Sequence, residues 1–138
     1  MKRLNWQTHL FSYLESCKTK RFEWGNFDCF IMCSEAIQAQ TGTNPAKPFY
    51  GQYRSAKSVI KVLKKINKKS FTDIFSDQFE LISPKLAQRG DIVAFQEPSL
   101  LKVGLAVCLG EYAMGLHPEK GLYPVEMKDW VSAWRIVA

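Results

Sequence analysis

Apolar side chains recur every three or four residues through the first half of the chain and gather into short unbroken runs in the second half. From Trp6 to Cys17 the positions Trp6, Leu10, Tyr13, Leu14 and Cys17 fall on one side of a 3.6-residue repeat, which predicts an amphipathic helix. A turn-like segment, Arg21 to Phe27, holds Trp24-Gly25-Asn26. Asp28 then suits the N-cap of a second helix over Cys29–Thr41, where Cys29, Cys33, Ala36, Ile37 and Gln40 share a face and Gly42 supplies the stop. Asn44 to Tyr53 carries Pro45, Pro48, Gly51 and three rings, and reads as a loop. Ser55 caps a third helix with Ala56, Val59, Ile60, Leu63 and Ile66 on one side, and Lys57, Lys61, Lys64 or Lys65, and Lys68 on the other. Phe71 to Phe75 is expected to be a short helical piece.

After Pro84 the pattern changes to apolar runs bounded by Gly, Pro and charges: Ile92–Phe95, Val103–Leu109 and Tyr112–Leu116, the last two joined at Gly110-Glu111 as a hairpin. Pro124 and Asp129 bracket a further turn, and Ala133–Val137 is expected to be a last strand. Helices followed by an antiparallel sheet of about four to six strands is the α+β class.

The chain has 138 residues, the size of one domain spanning 1–138. Its 46% hydrophobic and 23% charged residues exclude a disordered or collagenous chain. The longest apolar run, Val103–Leu109, is far short of the roughly 18 residues a membrane span needs. Met1, Lys2 and Arg3 resemble the start of a signal peptide, but Asn5, Gln7, Thr8 and His9 interrupt the apolar core it would require, so synthesis in the cytoplasm is expected.

A net charge of +6 favours anionic partners without identifying one. The lysine face of the third helix reads most simply as solvated surface; the functional alternative is a contact with an anionic polymer at Lys57, Lys61, Lys64 and Lys68. Cys17, Cys29, Cys33 and Cys108 form no C-x-x-C pair and no disulfide framework, which points to a reducing setting. Cys29 and Cys33 lie one helical turn apart, and this spacing reads as core packing rather than a zinc site; neither a metal nor a cofactor is expected.

The residue with chemistry to offer is Cys29. It follows Asp28 in the first turn of a helix, where unpaired N–H groups favour a thiolate. A thiol hydrolase also needs a base and a group to orient it, and only His9 and His117 are available. His9 reads as a surface residue, and His117 falls in His117-Pro118-Glu119-Lys120-Gly121, which has the composition of an exposed turn. Trp24, Tyr50, Tyr53 and Arg54 are candidates for a binding groove beside Cys29, packing of the rings onto the core being the structural alternative. Asp91, after Gly90, reads as a turn residue leading into a strand, and Trp130 and Trp134 as packing of the C-terminal segment.

Three elements in order, Phe22-x-Trp24-Gly25 with Asp28-Cys29, Arg89-Gly90-Asp91-Ile92-Val93-Ala94-Phe95, and Gly104-Leu105-Ala106-Val107-Cys108-Leu109-Gly110, resemble the NlpC/P60 cysteine peptidases. The likeness extends to small phage and prophage tail-associated members that keep W-G-x-x-D-C and R-G-D and end in an A-W-R-like strand, here Ala133-Trp134-Arg135. The resemblance implies a papain-like fold with Cys29 as nucleophile, Asp28 beside it, and a histidine from the third element. In this chain that position falls on Gly104, or with a two-residue gap on Lys102, and neither is an ordinary base. Phe22 stands where many members carry a tyrosine, and Phe30 follows the cysteine in place of serine. His117, close to where the third polar residue of the family falls, is the one substitute base.

The leading expectation is a tail-associated NlpC/P60-like domain lacking standard peptidase activity, with phage tail-tip proteins or a peptidoglycan peptide as partner and the virion as final location. The alternatives are an active peptidoglycan endopeptidase or amidase using Cys29 with His117, and a nucleic-acid-binding module using Lys57 to Lys69.

Overall fold

The computed structural model describes residues 2–136. Four α-helices, α1 (Trp6–Cys17), α2 (Cys29–Thr41), α3 (Ala56–Lys65) and α4 (Phe71–Gln78), precede the six strands β1 (Glu80–Ile82), β2 (Ile92–Gln96), β3 (Val103–Cys108), β4 (Tyr112–His117), β5 (Gly121–Glu126) and β6 (Trp130–Arg135). The strands form one open antiparallel sheet in the order β1-β6-β2-β3-β4-β5. The α+β class and the strand number are as the sequence predicts.

Local chemistry explains why α2 begins and ends where it does. Asp28 in extended conformation accepts the Ile31 N–H at 2.9 Å, and Gly42 at φ 87 takes the left-handed stop. The helix is buried nearly all round: Phe30, Ile31, Met32, Cys33, Ala36 and Ile37 are each 0% exposed. It is the central rod, packed between α1 and the inner face of β3 and β4. That face supplies Ile92, Ala94, Leu105, Val107, Leu116 and Trp134 to the main core.

The opposite face of the sheet carries a second apolar cluster, including Val93, Phe95, Ala106, Val125, Trp130 and Ala133. The sheet curls over it, because the Trp130 indole N–H on β6 reaches the Val125 carbonyl on β5 at 3.2 Å although the two strands are four places apart. Burial on both faces explains why β2 and β3 read as continuous apolar runs rather than alternating ones.

Several expectations are corrected. The third helix stops at Lys65, so Lys68 lies beyond its lysine face, and Ile66 is 44% exposed rather than in the core. The turn expected between Pro124 and Asp129 is a 3₁₀ turn over Met127–Asp129 alone, because Pro124 sits within β5, an edge strand where a missing N–H is tolerated. The last strand is Trp130–Arg135, displaced from Ala133–Val137, and Val137 lies outside the described residues. Trp130 and Trp134 both pack, as expected, but on opposite faces. A register shift opposite Ala94 and Phe95 inserts one residue in β6 and breaks the period of two that would have put them together.

Candidate functional site

Asp28 is fully buried, and its carboxylate is committed on both oxygens. One accepts the Ile31 N–H; the other accepts the Gly25 N–H at 3.0 Å and the Tyr53 hydroxyl at 2.7 Å. The Trp24-Gly25 turn, the start of α2 and the end of the 44–53 loop are thereby tied to one side chain. Gly25 has to be glycine: a Cβ there would lie 2.1 Å from the Tyr53 carbonyl oxygen, and φ is +81°. Burial pushes the Asp28 carboxyl above its ordinary value, against the pull of its hydrogen bonds from Tyr53, Ile31 and Gly25.

Cys29 is half-buried at the first turn of α2, while Cys17, Cys33 and Cys108 are buried and all four thiols are free. The expected thiolate is reversed. Burial, with the carboxylates of Asp28 and Glu97 adding to it, pushes the thiol up to about 12, against the backbone N–H groups of Leu105 and Phe30. The helix start is favourable to an anion, but its own cap already places a negative charge there and burial removes the water that would solvate a second.

The position to which the resemblance assigns a base has no room for a side chain. Gly104 on β3 is buried, and a Cβ on it would lie 2.3 Å from the Phe95 ring and 2.6 Å from a Glu97 carboxylate oxygen. Tyr123 borders the same spot, its hydroxyl raised to about 12 by burial and by the charges of Glu97 and Cys29. Lys102 is exposed in the loop before β3. His117, at the end of β4, packs edge-on to Tyr123 with ring centroids 6.1 Å apart. Its Nδ1 accepts the N–H groups of Glu119 at 3.0 Å and Lys120 at 3.2 Å. That nitrogen is thus engaged by the residues of its own turn. His9 lies on α1.

The four candidate binding residues separate. Trp24, Tyr53 and Arg54 border a shallow depression of about 450 Å³ with Glu23, Asn26 and Gly51. Within it Tyr53 is only 2% exposed, being spent on Asp28, while Arg54 is exposed. Tyr50 turns instead to Glu35 on α2. Glu35 accepts the Tyr50 hydroxyl at 2.5 Å and the Tyr13 hydroxyl of α1 at 2.7 Å, with Lys20 at 3.9 Å and Asn44 donating to Tyr50 at 3.0 Å. This polar knot was missed by sequence reasoning, although one signal was available: Glu35 is the single charged residue in the thirteen of α2.

Asp91 is the other buried carboxylate, and it does serve a turn: it accepts the Gln88 N–H at 2.8 Å, the Ile136 N–H at 2.9 Å and the Arg135 guanidinium at 3.1 Å. Lys57, Lys61 and Lys64 are exposed on α3, and Lys68, beyond it, pairs with Asp77. Among the described residues no group of three or more His, Cys, Asp or Glu side chains is placed to hold a metal, and no helix is long and apolar enough to cross a membrane.

Residues 1–136 match the family described as a domain of unknown function, DUF6950. The chain belongs to the DUF6950 family. The match covers every element from α1 to β6, so the Asp28 knot, the Cys29 thiol and the filled space at Gly104 all lie within the DUF6950 domain. No curated protein matches the chain.

Proposed function

We propose that this DUF6950 chain is a papain-like, NlpC/P60-type domain associated with a phage or prophage tail, keeping the fold without standard peptidase activity and serving tail assembly or cell-wall-facing binding. The observation that carries the loss of activity is the filling of the Gly104 position by Phe95 and Glu97. A base cannot be seated there without moving a buried ring, and the carboxylate in its place opposes ionisation of Cys29. With a thiol near 12, about one sulfur in 10⁵ is thiolate at neutral pH, against a few per cent for an unperturbed cysteine. The tail association rests on the resemblance of the W-G-x-x-D-C, R-G-D and A-W-R elements.

The test is hydrolysis of a peptidoglycan stem peptide by the wild type, Cys29→Ala, His117→Ala and Gly104→His. No turnover above buffer is expected in any of them, because base, orienting group and oxyanion donors act as a unit. Wild-type hydrolysis lost in both Cys29→Ala and His117→Ala would overturn the reading in favour of a thiol hydrolase. A measurement independent of substrate is the pH dependence of Cys29 alkylation, followed by mass spectrometry. The rate is expected to climb about tenfold per pH unit through pH 9, with no plateau below about 11; a plateau near neutral pH would mean an activated thiol.

A further inference from the structure

A second cavity, of about 250 Å³, lies between the helices α3 and α4 and the loop that leads into β3. Leu63, Phe71, Leu101 and Leu105 make part of its lining apolar, Ser70 and Thr72 add hydroxyls, and two lysines, Lys69 and Lys102, join that lining from exposed positions. Neither lysine forms an ion pair among the described residues, in contrast to Lys68, which is taken up by Asp77.

The backbone at Lys102 adds an independent observation. Lys102 holds φ +64°, a left-handed conformation that is unfavourable for a residue with a Cβ. The loop fixes it there: the Lys102 N–H donates to the Ser99 carbonyl at 3.0 Å, and its carbonyl accepts the Glu97 N–H at 2.9 Å. Folding alone would be served better by glycine at this position. A lysine on a strained backbone, sharing the lining of one pocket with a second unpaired lysine, offers positive charge to whatever enters.

We infer that this cavity binds a carboxylate carried on a short apolar chain, the chain in the apolar interior and the carboxylate between Lys69 and Lys102. Two ammonium groups supply the positive charge, and in a volume of about 250 Å³ shared with the apolar chain a carboxylate takes less room than a phosphate. The volume admits one branched side chain with its carboxyl group, such as the C-terminal residue of a peptide, or a short fatty acid. Leu105 belongs to this lining and also turns its backbone N–H toward Cys29, so the pocket adjoins the thiol site but does not depend on the function proposed for it.

The test is a titration of the ¹⁵N-labelled full chain with N-acetylleucine, hexanoate, and the amides of both, following amide shifts at Ser70, Thr72, Val103 and Leu105. The carboxylates are expected to shift these residues saturably and to bind about tenfold tighter than their amides, the value of one charge-assisted hydrogen bond. Tighter binding of N-acetylleucine names a peptide end as the source, and tighter binding of hexanoate a fatty acid. Lys102→Gly separates binding from folding: it relieves the left-handed strain, so the melting temperature is expected to hold or rise while carboxylate affinity falls about tenfold, and Lys69→Gln should lose affinity similarly. Amides binding as well as acids, affinity unchanged within twofold in both lysine variants, or no saturable shift at these residues would each overturn the inference.

Discussion

Asp28 and Asp91 are buried to the same depth, at 0% and 1% exposure, yet they are held by different means. Asp91 has a guanidinium, that of Arg135, together with two backbone N–H groups. Asp28 has only neutral donors, two N–H groups and the Tyr53 hydroxyl. Each joins segments far apart in the chain: Asp91 fastens the 88–91 turn to the end of β6, and Asp28 fastens the Trp24-Gly25 turn and Tyr53 to the start of α2. Both belong to the short elements on which the resemblance to a peptidase rests, and both are engaged in holding backbone. The comparison teaches that both aspartates are spent on backbone framework, Asp28 beside the Cys29 thiol and Asp91 between the turn before β2 and the end of β6. It also separates two electrostatic solutions, since an ion pair offsets the burial of charge at Asp91 while at Asp28 the desolvation is only partly met, so that its carboxyl is raised.

The largest effect is expected from Asp28→Ala. It removes the cap of α2 and leaves the Gly25 N–H and the Tyr53 hydroxyl buried without an acceptor, at a combined cost of about 3 to 5 kcal/mol. Chemical denaturation measures it, and a loss below about 1 kcal/mol would show that the knot can relax around the missing carboxylate.

Arg135→Met comes next, with about 2 kcal/mol expected, because it strands the Asp91 charge with its two backbone donors but at a site the partly exposed Arg135 leaves open to water. A loss as large as that of Asp28→Ala would break the comparison, making the ion pair and not the backbone bonds the anchor of that corner.

The smallest effect is a pH dependence. Folded Asp28 keeps its proton at pH values where the unfolded chain, with its carboxyl near 3.8, has released it. The native state therefore binds more protons in that window, and stability contributed by this group rises as pH falls through the raised value and is complete below 3.8. The slope is at most about 1.4 kcal/mol per pH unit. Tyr53→Phe removes a donor to the ionised form and should enlarge this term, as the difference between its pH–stability curve and that of the wild type; an unchanged difference across pH 4 to 7 would remove the asymmetry between the two aspartates.

The sequence by itself determined the first two helices. The bounds Trp6–Cys17 and Cys29–Thr41 are those of α1 and α2, because a helix repeat, an aspartate cap and a glycine stop are local events complete within a few residues. The three central strands were legible for the same reason. Only the tertiary structure decided the rest. β5 is a strand despite Pro124 because it lies at an edge, and being at an edge is a property of the sheet and not of the residues. The two tryptophans of β6 part company at a bulge set by pairing with β2. The character of Cys29 follows from burial in the fold and from the carboxylates of Asp28 and Glu97, the latter contributed from about seventy residues away and together outweighing the Leu105 N–H, so a position that reads locally as an activated thiol has its thiol pushed up in the folded chain.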